Sequence, residues 1–593
     1  MNILGISALY HDSAAALVIN GEIIAAVQEE RFTRRKGDSS LPVNSIKYCI
    51  SCLKGEKLDY VAYYDNPFLT LDRWLNNMLN RKNIDLDNKD IEKLFANRLW
   101  IHDNVKKVLS DIGYNSVFKF VVCNHHISHA SSAFYPSPFK SAAILTIDAV
   151  GEGATSSLGI GHDNKLSIIK ELRYPNSLGL LYSAFTSFCG FKVNFGEYKL
   201  MGLAPYGQPV WADTIKEKML NIKEDGSFAL NMEYFSFIEG DCMYSDRFSE
   251  LFGIPPRKPE SNIIKVYADI AASIQKVTEH IIVRMAKHLR TITNQNNLVL
   301  AGGCALNCVA NGVLQRLGIF DKIWIQPASN DSGGALGAAL FTYYNKTGNP
   351  RTINDRDSQK GSFLGPEYSE KYIKELLNKY QLNYCYYEVE SDIYQIIAEK
   401  LNRNEVIGIF YGRMEFGPRA LGHRSIIASA LPEEAQIKVN RKIKFRESFR
   451  PFAPSVLIED VNKYFLLSEE SPYMLLVSYV KPELCFEQHS TASFSPSEIV
   501  KQKRSLIPAV THVDYTARVQ TVDAERNPFF YNIINEYKKL TGYGVLLNTS
   551  FNVRGEPIVC SPDDALRCFF KTEMDTLVLG HYIIDKEHSS SYD

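Results

Sequence analysis

The order of apolar and polar positions is the first guide to this chain. The opening runs NILGISALY, HDSAAALVI and EIIAAVQEE are short and β-capable, and they are broken by His11-Asp12-Ser13 and by Asn20-Gly21. Asn-Gly between apolar runs is a strong tight-turn signal, so the start predicts a β-meander. Ser141 to Asp148 (SAAILTID) has a buried-strand pattern, followed by the glycine-rich turn Gly151-Glu152-Gly153 and a partner strand over Ala154 to Ile160. A second hairpin thus repeats the layout of the first. From Tyr267 to Ile292, Ile270, Ile274, Val277, Ile281, Met285 and Leu289 step by three or four, which predicts a long amphipathic helix. Strand Leu298 to Ala301, loop Gly302-Gly303, a helix-capable run, strand Ile323 to Gln326, a polar turn Ser329 to Ser332, and Gly333-Gly334 opening the helix ALGAALFTYY come next. This half is α/β with glycine turns after its strands.

Asn345 to Ser362 (NKTGNPRTINDRDSQKGS) is polar and without periodicity, and it reads as a linker. Beyond it, DIYQIIAEKLNRN predicts a helix and VIGIFYG a buried strand, so a separate α/β domain is expected. The division is 1–350 and 363–593. The polar tract from Glu487 to Arg504 reads as a surface excursion, and the terminal SSSYD as frayed. With 593 residues the chain is too long for one small binding module, and no repeat of 20 to 50 residues is visible.

Charge changes the picture only locally. Lys and Arg number 66 against 67 Asp and Glu, a net of -1 with 45% apolar residues, which excludes general disorder and argues against nucleic-acid binding by bulk charge. No uncharged apolar run is long enough for a membrane span and no basic segment precedes an apolar N-terminal stretch, so a soluble cytoplasmic protein is expected. Eleven cysteines, an odd number, argue against a disulfide framework; Cys49-x2-Cys52 and Cys304-x3-Cys308 lack the second pair a zinc ribbon needs. Between Gly412 and Arg450, however, nine Lys and Arg face four Glu, an excess of five positive charges. In GRMEFGPRALGHRS and KFRESFRPFAPS the arginines sit among Gly, Pro and aliphatics. Guanidinium forks converging on a cavity suit a polyphosphate, while a solvated face would explain the same charges. Downstream, His512, Arg518, Asn548, Ser550 and Arg554 are polar groups of the kind that read a ribose or phosphate.

Histidine supplies the sharpest metal signal. In NHHISHA the i, i+4 spacing puts His125 and His129 on one helical face, with His126 pointing elsewhere. Two imidazoles under-coordinate a divalent ion, and Asp148 at a strand end and Asp331 in a glycine-rich turn are available to complete it. Capping or core histidines at a helix start remain the alternative. The glycine turns around Gly151, Gly302-Gly303 and Gly333-Gly334 can present backbone N–H groups to phosphates, although glycine equally serves turns. Neither a Walker A motif nor a GxGxxG fingerprint is present, which disfavours P-loop enzymes and dehydrogenases.

Nine ordered motifs, HDSAAALV, EERFTRRK, NHHISHA, GEYKLMGLAPYG, AGGCALN, NDSGGALGAAL, GRMEFGPRALGHRS, KFRESFRPFAPS and LLNTSFNVRGEP, together resemble the NodU/CmcH family of O-carbamoyltransferases, from about residue 2 to residue 570. The resemblance implies an N-terminal two-lobed domain like Kae1, of the actin/Hsp70-like (ASKHA) ATPase fold, and a C-terminal α/β domain like YrdC. In the second, carbamoyl phosphate and ATP would give carbamoyladenylate, with Arg419, Lys444, Arg450, Arg518, Asn548 and Ser550 assigned to the site. In the first, a metal, Fe2+ or another divalent ion, would be held by His125, His129, Asp148 and Asp331 near the adenylate phosphate, while Mg2+ can accompany ATP. His11 matches the position expected to deprotonate the acceptor hydroxyl, a role that suits a neutral imidazole of pKa about 6.5, with Asp12 orienting it. Lys36 would contact phosphate, Gly151 would lie at the nucleotide, and Gly302, Gly303 and Asn307 resemble the adenosine-side loop. The expected partners are carbamoyl phosphate and a hydroxyl-bearing small molecule, a secondary metabolite or sugar, with no nucleic acid and no membrane; a homodimer stays open. Two other readings are carried: a threonylcarbamoyl-adenylate-dependent tRNA-modifying enzyme, and a non-enzymatic actin-like ATP switch.

Overall fold

The computed structural model describes residues 1–79, 98–240, 242–447, 449–487 and 495–588. The chain forms two compact units, the first Met1–Glu29 with Gly37–Gln359, the second Glu30–Lys36 with Lys360–Asp593.

The first unit is built twice over. Strands β1 (Asn2–Ser7), β2 (Ala14–Ile19), β3 (Glu22–Gln28), β4 (Tyr60–Tyr63) and β5 (Lys119–Val122) lie in the order β3-β2-β1-β4-β5. The β2–β3 turn has Asn20 and Gly21 both at positive φ, the geometry a two-residue hairpin requires. Strands β6 (Ser141–Gly151), β7 (Ala154–His162) and β8 (Lys165–Arg173) follow, then a small hairpin of β9 (Leu220–Ile222) and β10 (Phe228–Leu230), then β11 (Asn297–Ala301) and β12 (Lys322–Ile325). The second large sheet has the order β12-β11-β6-β7-β8. In each sheet the first strand starts an antiparallel meander on one side and pairs parallel with one later strand on the other, to which a further strand adds in parallel. This duplicated arrangement is the actin/Hsp70-like fold. The helix Lys265–Thr293 buries the apolar stripe, with Ile270, Ile274 and Ile281 fully covered.

Helix Asp331–Phe341 packs on helix His125–Phe134 and on β1. It begins at Asp331, two residues before the expected start at Gly333-Gly334. Its glycines serve close packing: a Cβ on Gly333 would lie 2.0 Å from the Ala328 carbonyl oxygen, one on Gly334 2.6 Å from Tyr64 Cδ2, and one on Gly337 1.8 Å from the Ser128 carbonyl oxygen.

The expected linker is not loose. Arg351 donates to the carbonyls of Tyr135, Phe139, Phe134 and Ser137 at 2.7 to 3.1 Å, and its guanidinium lies 4.5 Å over the Phe134 ring. A polar composition hides this because the anchoring acceptors are main-chain groups far away in sequence.

The second unit is a nine-stranded mixed sheet whose central strands include β14 (Ile407–Phe410), β15 (Arg424–Ser429), β16 (Ala453–Leu457), β18 (Thr516–Val522) and β19 (Val545–Ser550). The order is β13-β21-β20-β14-β15-β19-β16-β18-β17, with β13 (Cys385–Tyr386), β17 (Leu476–Tyr479), β20 (Thr576–Leu579) and β21 (Tyr582–Asp585) completing it. Helices Glu390–Asn402 and Pro528–Thr541 bury Ile393, Ile397, Phe530 and Ile534 against Ile409, Ile427 and Val578. Of the predicted surface excursion, 488–494 lie outside the described residues, and its last residue, Arg504, is buried, donating to the Val500 and Gln502 carbonyls. The terminal SSSYD also lies outside the described residues. Among the described residues no helix is long and apolar enough to cross a membrane.

Glu30–Lys36 groups with this second unit, and its arginines bond within it. Arg31 pairs with Glu30 at 3.0 Å and donates to the Gly417 carbonyl at 2.7 Å, while Arg34 donates to the Ile558 and Pro557 carbonyls and faces Asp564 at 3.6 Å.

Candidate active site

In open α/β sheets, ligands gather at the carboxyl ends of parallel strands. In the first unit those ends carry the polar residues. His11 and Asp12 follow β1, Tyr64 and Asp65 follow β4, the His125 helix follows β5, Asp148 sits near the end of β6, Gly302-Gly303 follow β11, and Asp331 comes after β12. The β6–β7 register shifts between Ile147 and Gly151, an irregularity of the kind that re-aims a side chain.

His125, His129, Asp148 and Asp331 are all buried, and each offers one ligand atom within 4.8 Å of the others. Nε2 of His125 lies 3.0 Å from Nε2 of His129, 3.2 Å from Asp148 Oδ2 and 3.6 Å from Asp331 Oδ1; His129 Nε2 is 3.6 Å from both carboxylates. Two imidazole nitrogens this close repel unless a proton or cation lies between them. Asp331 Oδ1 is buried without a hydrogen bond. The donor set of two imidazoles and two carboxylates therefore fits a divalent transition metal. His126 is excluded by direction: its Nδ1 meets Thr146 Oγ1 and Ser157 Oγ, both at 2.8 Å.

Supporting groups surround the cluster. Asp65 Oδ1 lies 3.7 Å from His125 Nδ1, on the side away from the other ligands, and Asp65 Oδ2 accepts from Thr70 and Arg98. Tyr64 donates to Asp331 Oδ2 at 3.3 Å. Glu152 Oε1 accepts the backbone N–H groups of His125 and Asn66, capping the ligand helix where Asn124 makes no side-chain cap. Gly151 leaves room for the ligand ring, since a Cβ there would lie 2.0 Å from His125 Cδ2. Asp65, Tyr64 and Glu152 were not singled out from the sequence, because each is isolated from the histidines along the chain.

Charge follows from this geometry. Burial pulls the His125 pKa down, but Asp331 and Asp148 outweigh it and raise it to about 9; His129 is raised as well. Asp148, despite burial, is held well below the carboxylate range by hydrogen bonds and charge from both histidines. His11 Nδ1 lies 3.0 Å from Asp12 Oδ2, which also accepts from Asn330 at 2.8 Å. Burial disfavours its charge, yet Asp331 and Asp12 raise its pKa to about 10, so the neutral imidazole expected near 6.5 is not what these surroundings produce. Asp331 exerts the largest upward pull on His11, so a cation bound beside Asp331 would lower the His11 pKa.

Of the glycine loop, Gly302 has φ of 88° and a Cβ would lie 2.3 Å from the Ile147 carbonyl oxygen, while Gly303 N–H donates to Asp148 Oδ1 at 3.0 Å. Asn307 caps helix Cys308–Leu317 and exchanges hydrogen bonds with Gln275. Lys36, expected in the N-terminal domain, belongs to the second unit and is exposed.

In the second unit, Lys444 and Ser550 come together. Buried Lys444 Nζ donates to Ser550 O at 2.7 Å, Ser550 Oγ at 3.2 Å and Asn552 O at 2.9 Å, and also meets Asn552 Oδ1. Burial, with the positive charges of Arg446, Arg450 and Lys36, presses its pKa well below the usual ammonium range. Arg450 lies 3.8 Å from Glu447. Arg419 and Arg518 are half-buried. Asn548 is buried in the sheet, its amide donating to Ser455, Gln520 and the Ala420 carbonyl, so its donors serve the interior. Arg424, one of the nine cations of the basic block, is fully buried and donates to the Tyr411, His423, Pro366 and Gly412 carbonyls.

The chain is similar to known proteins along nearly its whole length. Over 598 aligned residues the chain is 48% identical to an uncharacterized protein of Synechocystis sp., covering 99% of this chain and 97% of that one. It is 36% identical to nodulation protein NolNO of Sinorhizobium fredii, covering 98% and 80%, and 28% identical to the 3'-hydroxymethylcephem-O-carbamoyltransferase of Streptomyces clavuligerus, covering 78% and 80%. Among solved structures, T. kodakarensis HypF aligns at 13% identity and a TM-score of 0.32, covering 58% of this chain and 48% of that one. Family models described as the carbamoyltransferase N-terminus and the carbamoyltransferase C-terminus match residues 2–340 and 398–586, one in each half, and on that ground the chain belongs to the NodU/CmcH family of carbamoyltransferases.

Proposed function

We propose that this enzyme is an ATP-dependent O-carbamoyltransferase that works in two steps. In the second unit, read as YrdC-like, water releases inorganic phosphate from carbamoyl phosphate and the resulting carbamate attacks the α-phosphate of ATP, giving carbamoyladenylate and pyrophosphate; in the first, the carbamoyl group passes to a hydroxyl of a small-molecule acceptor and AMP leaves. The observation that carries the reading is the buried His125, His129, Asp148 and Asp331 set beside the His11–Asp12 pair, in a chain whose halves match the two carbamoyltransferase models. The Lys444 cluster supports the first step: a buried amine, lowered first by burial and then by the charges of Arg446, Arg450 and Lys36, gathers cations of the kind that suit a polyphosphate.

His125, His129, Asp148 and Asp331 would hold the divalent ion, for which Fe2+ is our assignment. Bound there, it would stabilise charge on the departing AMP phosphate. The chain's own groups do the rest. Asp12, fixed by Asn330, orients His11, and His11 takes the acceptor's hydroxyl proton at the imidazole nitrogen not bonded to Asp12, making the alcohol a nucleophile as the new C–O bond forms. Building an adenylate first adds a large nucleotide handle, whose binding energy orients the reacting carbonyl.

The test is incubation of the metal-loaded chain with carbamoyl phosphate and ATP, followed by an acceptor panel. Pyrophosphate and a carbamoylated adenylate are expected; no pyrophosphate would refute the mechanism. Lys444→Ala should fail at this first step, and His11→Ala should make the adenylate but transfer it poorly. Equal defects in both steps would refute the division of labour.

A further inference from the structure

Helix Pro67–Leu79 follows β4 and turns Thr70, Arg73 and Asn77 to one side, at i, i+3 and i+7. The two outer residues are both engaged. Thr70 Oγ1 donates at 2.9 Å to Asp65, the carboxylate behind His125, and Asn77 Nδ2 donates at 3.1 Å to the Tyr174 hydroxyl. Arg73 between them is different. Its guanidinium lies 5.7 Å from the Tyr174 ring centroid, its Nε is buried without an acceptor, and it makes no hydrogen bond or ion pair with any described residue. A guanidinium has five donors and cannot shed its charge in water, so leaving it half-buried and unpaired is unfavourable until an anion meets it.

A second group nearby is also unpaired. Tyr10 precedes His11, their rings are 4.5 Å apart, and its hydroxyl makes no hydrogen bond among the described residues. Hydrogen bonds tie the helix to this turn: Arg98 donates both to the Leu9 carbonyl, next to Tyr10, and to Asp65, the same carboxylate that Thr70, one turn before Arg73, holds. Two unpaired donors, one cationic and one phenolic, thus lie beside the His11 turn. Acidic residues there are already committed, Asp65 to Thr70 and Arg98, Asp12 to His11 and Asn330.

We propose that Arg73 and Tyr10 form an oxyanion-binding subsite beside His11, which takes a carboxylate or phosphate carried by one of the two reactants of the transfer step. The inference rests on reading the His125 centre as the transfer site. The oxyanion is either the phosphate of the adenylate donor or an acidic group on the acceptor, and both present oxygens to a guanidinium fork in the same way.

The subsite is tested by calorimetric titration of the full-length, metal-loaded chain with AMP and, separately, glucuronate, with adenosine and glucose as uncharged counterparts. A Lys444→Ala background keeps the second unit's nucleotide site out of the measurement. Arg73→Gln is expected to weaken at least one anionic probe by roughly tenfold or more and leave its counterpart unchanged. Arg73→Lys should retain part of the affinity, and Tyr10→Phe should lose a smaller part. Loss confined to AMP assigns the subsite to the donor phosphate, and loss confined to glucuronate assigns it to the acceptor. Equal affinities in the parent and Arg73→Gln chains for both probes, or no binding of either probe by the parent, overturns the proposal. Metal content and circular dichroism check that the variants are folded. Failure of the carbamoyladenylate reading is separable, because it shows as missing pyrophosphate in the Lys444-containing chain whatever the titrations give.

Discussion

Asp65 shows how a residue far from the histidines in sequence can govern them. It touches no other ligand of the cluster, yet its carboxylate faces the back nitrogen of His125. Such an outer carboxylate fixes the imidazole's tautomer and ring angle, and its loss typically weakens metal binding by about 10- to 100-fold. Asp65→Asn is expected to show that loss in a chelator competition, and unchanged metal affinity would refute the orienting role. Protons compete for the same nitrogens. In the metal-free chain the His125 pKa is raised from 6.5 to about 9. Its ion pairs with Asp148 and Asp331 therefore contribute fully below pH 6.5 and are lost as pH rises through about 9. The melting temperature of the metal-free chain should fall across that window, while metal affinity should rise across it as the proton leaves. A flat melting profile that Asp331→Asn does not alter would contradict this account.

At the level of elements, the centre depends on how closely two helices approach. His125–Phe134 supplies two ligands and Asp331–Phe341 a third, and Gly337 on the second helix faces the Ser128 carbonyl on the first. Gly337→Ala would place a Cβ 1.8 Å from that oxygen, so the helices must part. We expect a stability cost of about 1–3 kcal/mol together with reduced metal content, read by thermal denaturation and elemental analysis. Full metal content at unchanged melting temperature would show that the contact does not set the ligand spacing. Glycine is where sequence reading is least informative. Gly333-Gly334 has the composition of a phosphate turn, yet both residues pack against backbone and Tyr64, because a missing side chain is consistent with either use until the neighbour is known.

At the scale of the whole chain, one short segment departs from the sequence order of the units. Residues 30–36 leave the first unit, contribute to the second and return. Arg31 is buried, and Arg31→Ala removes its pair with Glu30 and its hydrogen bond to the Gly417 carbonyl. Breaking a buried pair of this kind costs on the order of 3 kcal/mol. Hydrogen exchange should accelerate around Gly417 and across 553–564 while the Ser141–Gly151 strand keeps its protection. Equal acceleration in both units would show that the segment does not act on the second unit alone.

The meander with its Asn20-Gly21 turn, the long helix and the shared face of His125 and His129 were legible in the chain because each rests on a repeat of two or about four residues. The nine motifs carried the family. Proximity between distant positions was beyond reach of any such period. Spacing offered Asp148 and Asp331 only as available carboxylates, and the family resemblance named them as ligands; the strand ends of two sheets bring them within 4.8 Å of the histidines. Lys36 read as part of the first domain because its neighbours in sequence do, but the folded backbone groups it with the second. Asn548, assigned to the nucleotide site by resemblance, and Arg424, one cation of the basic block, are buried, and the Asn548 amide and the two terminal guanidinium nitrogens of Arg424 donate to acceptors of the interior. Local periodicity selects elements; which buried polar group meets which is settled by folding, since hydrogen bonds and charge pairs act across space, not along the chain.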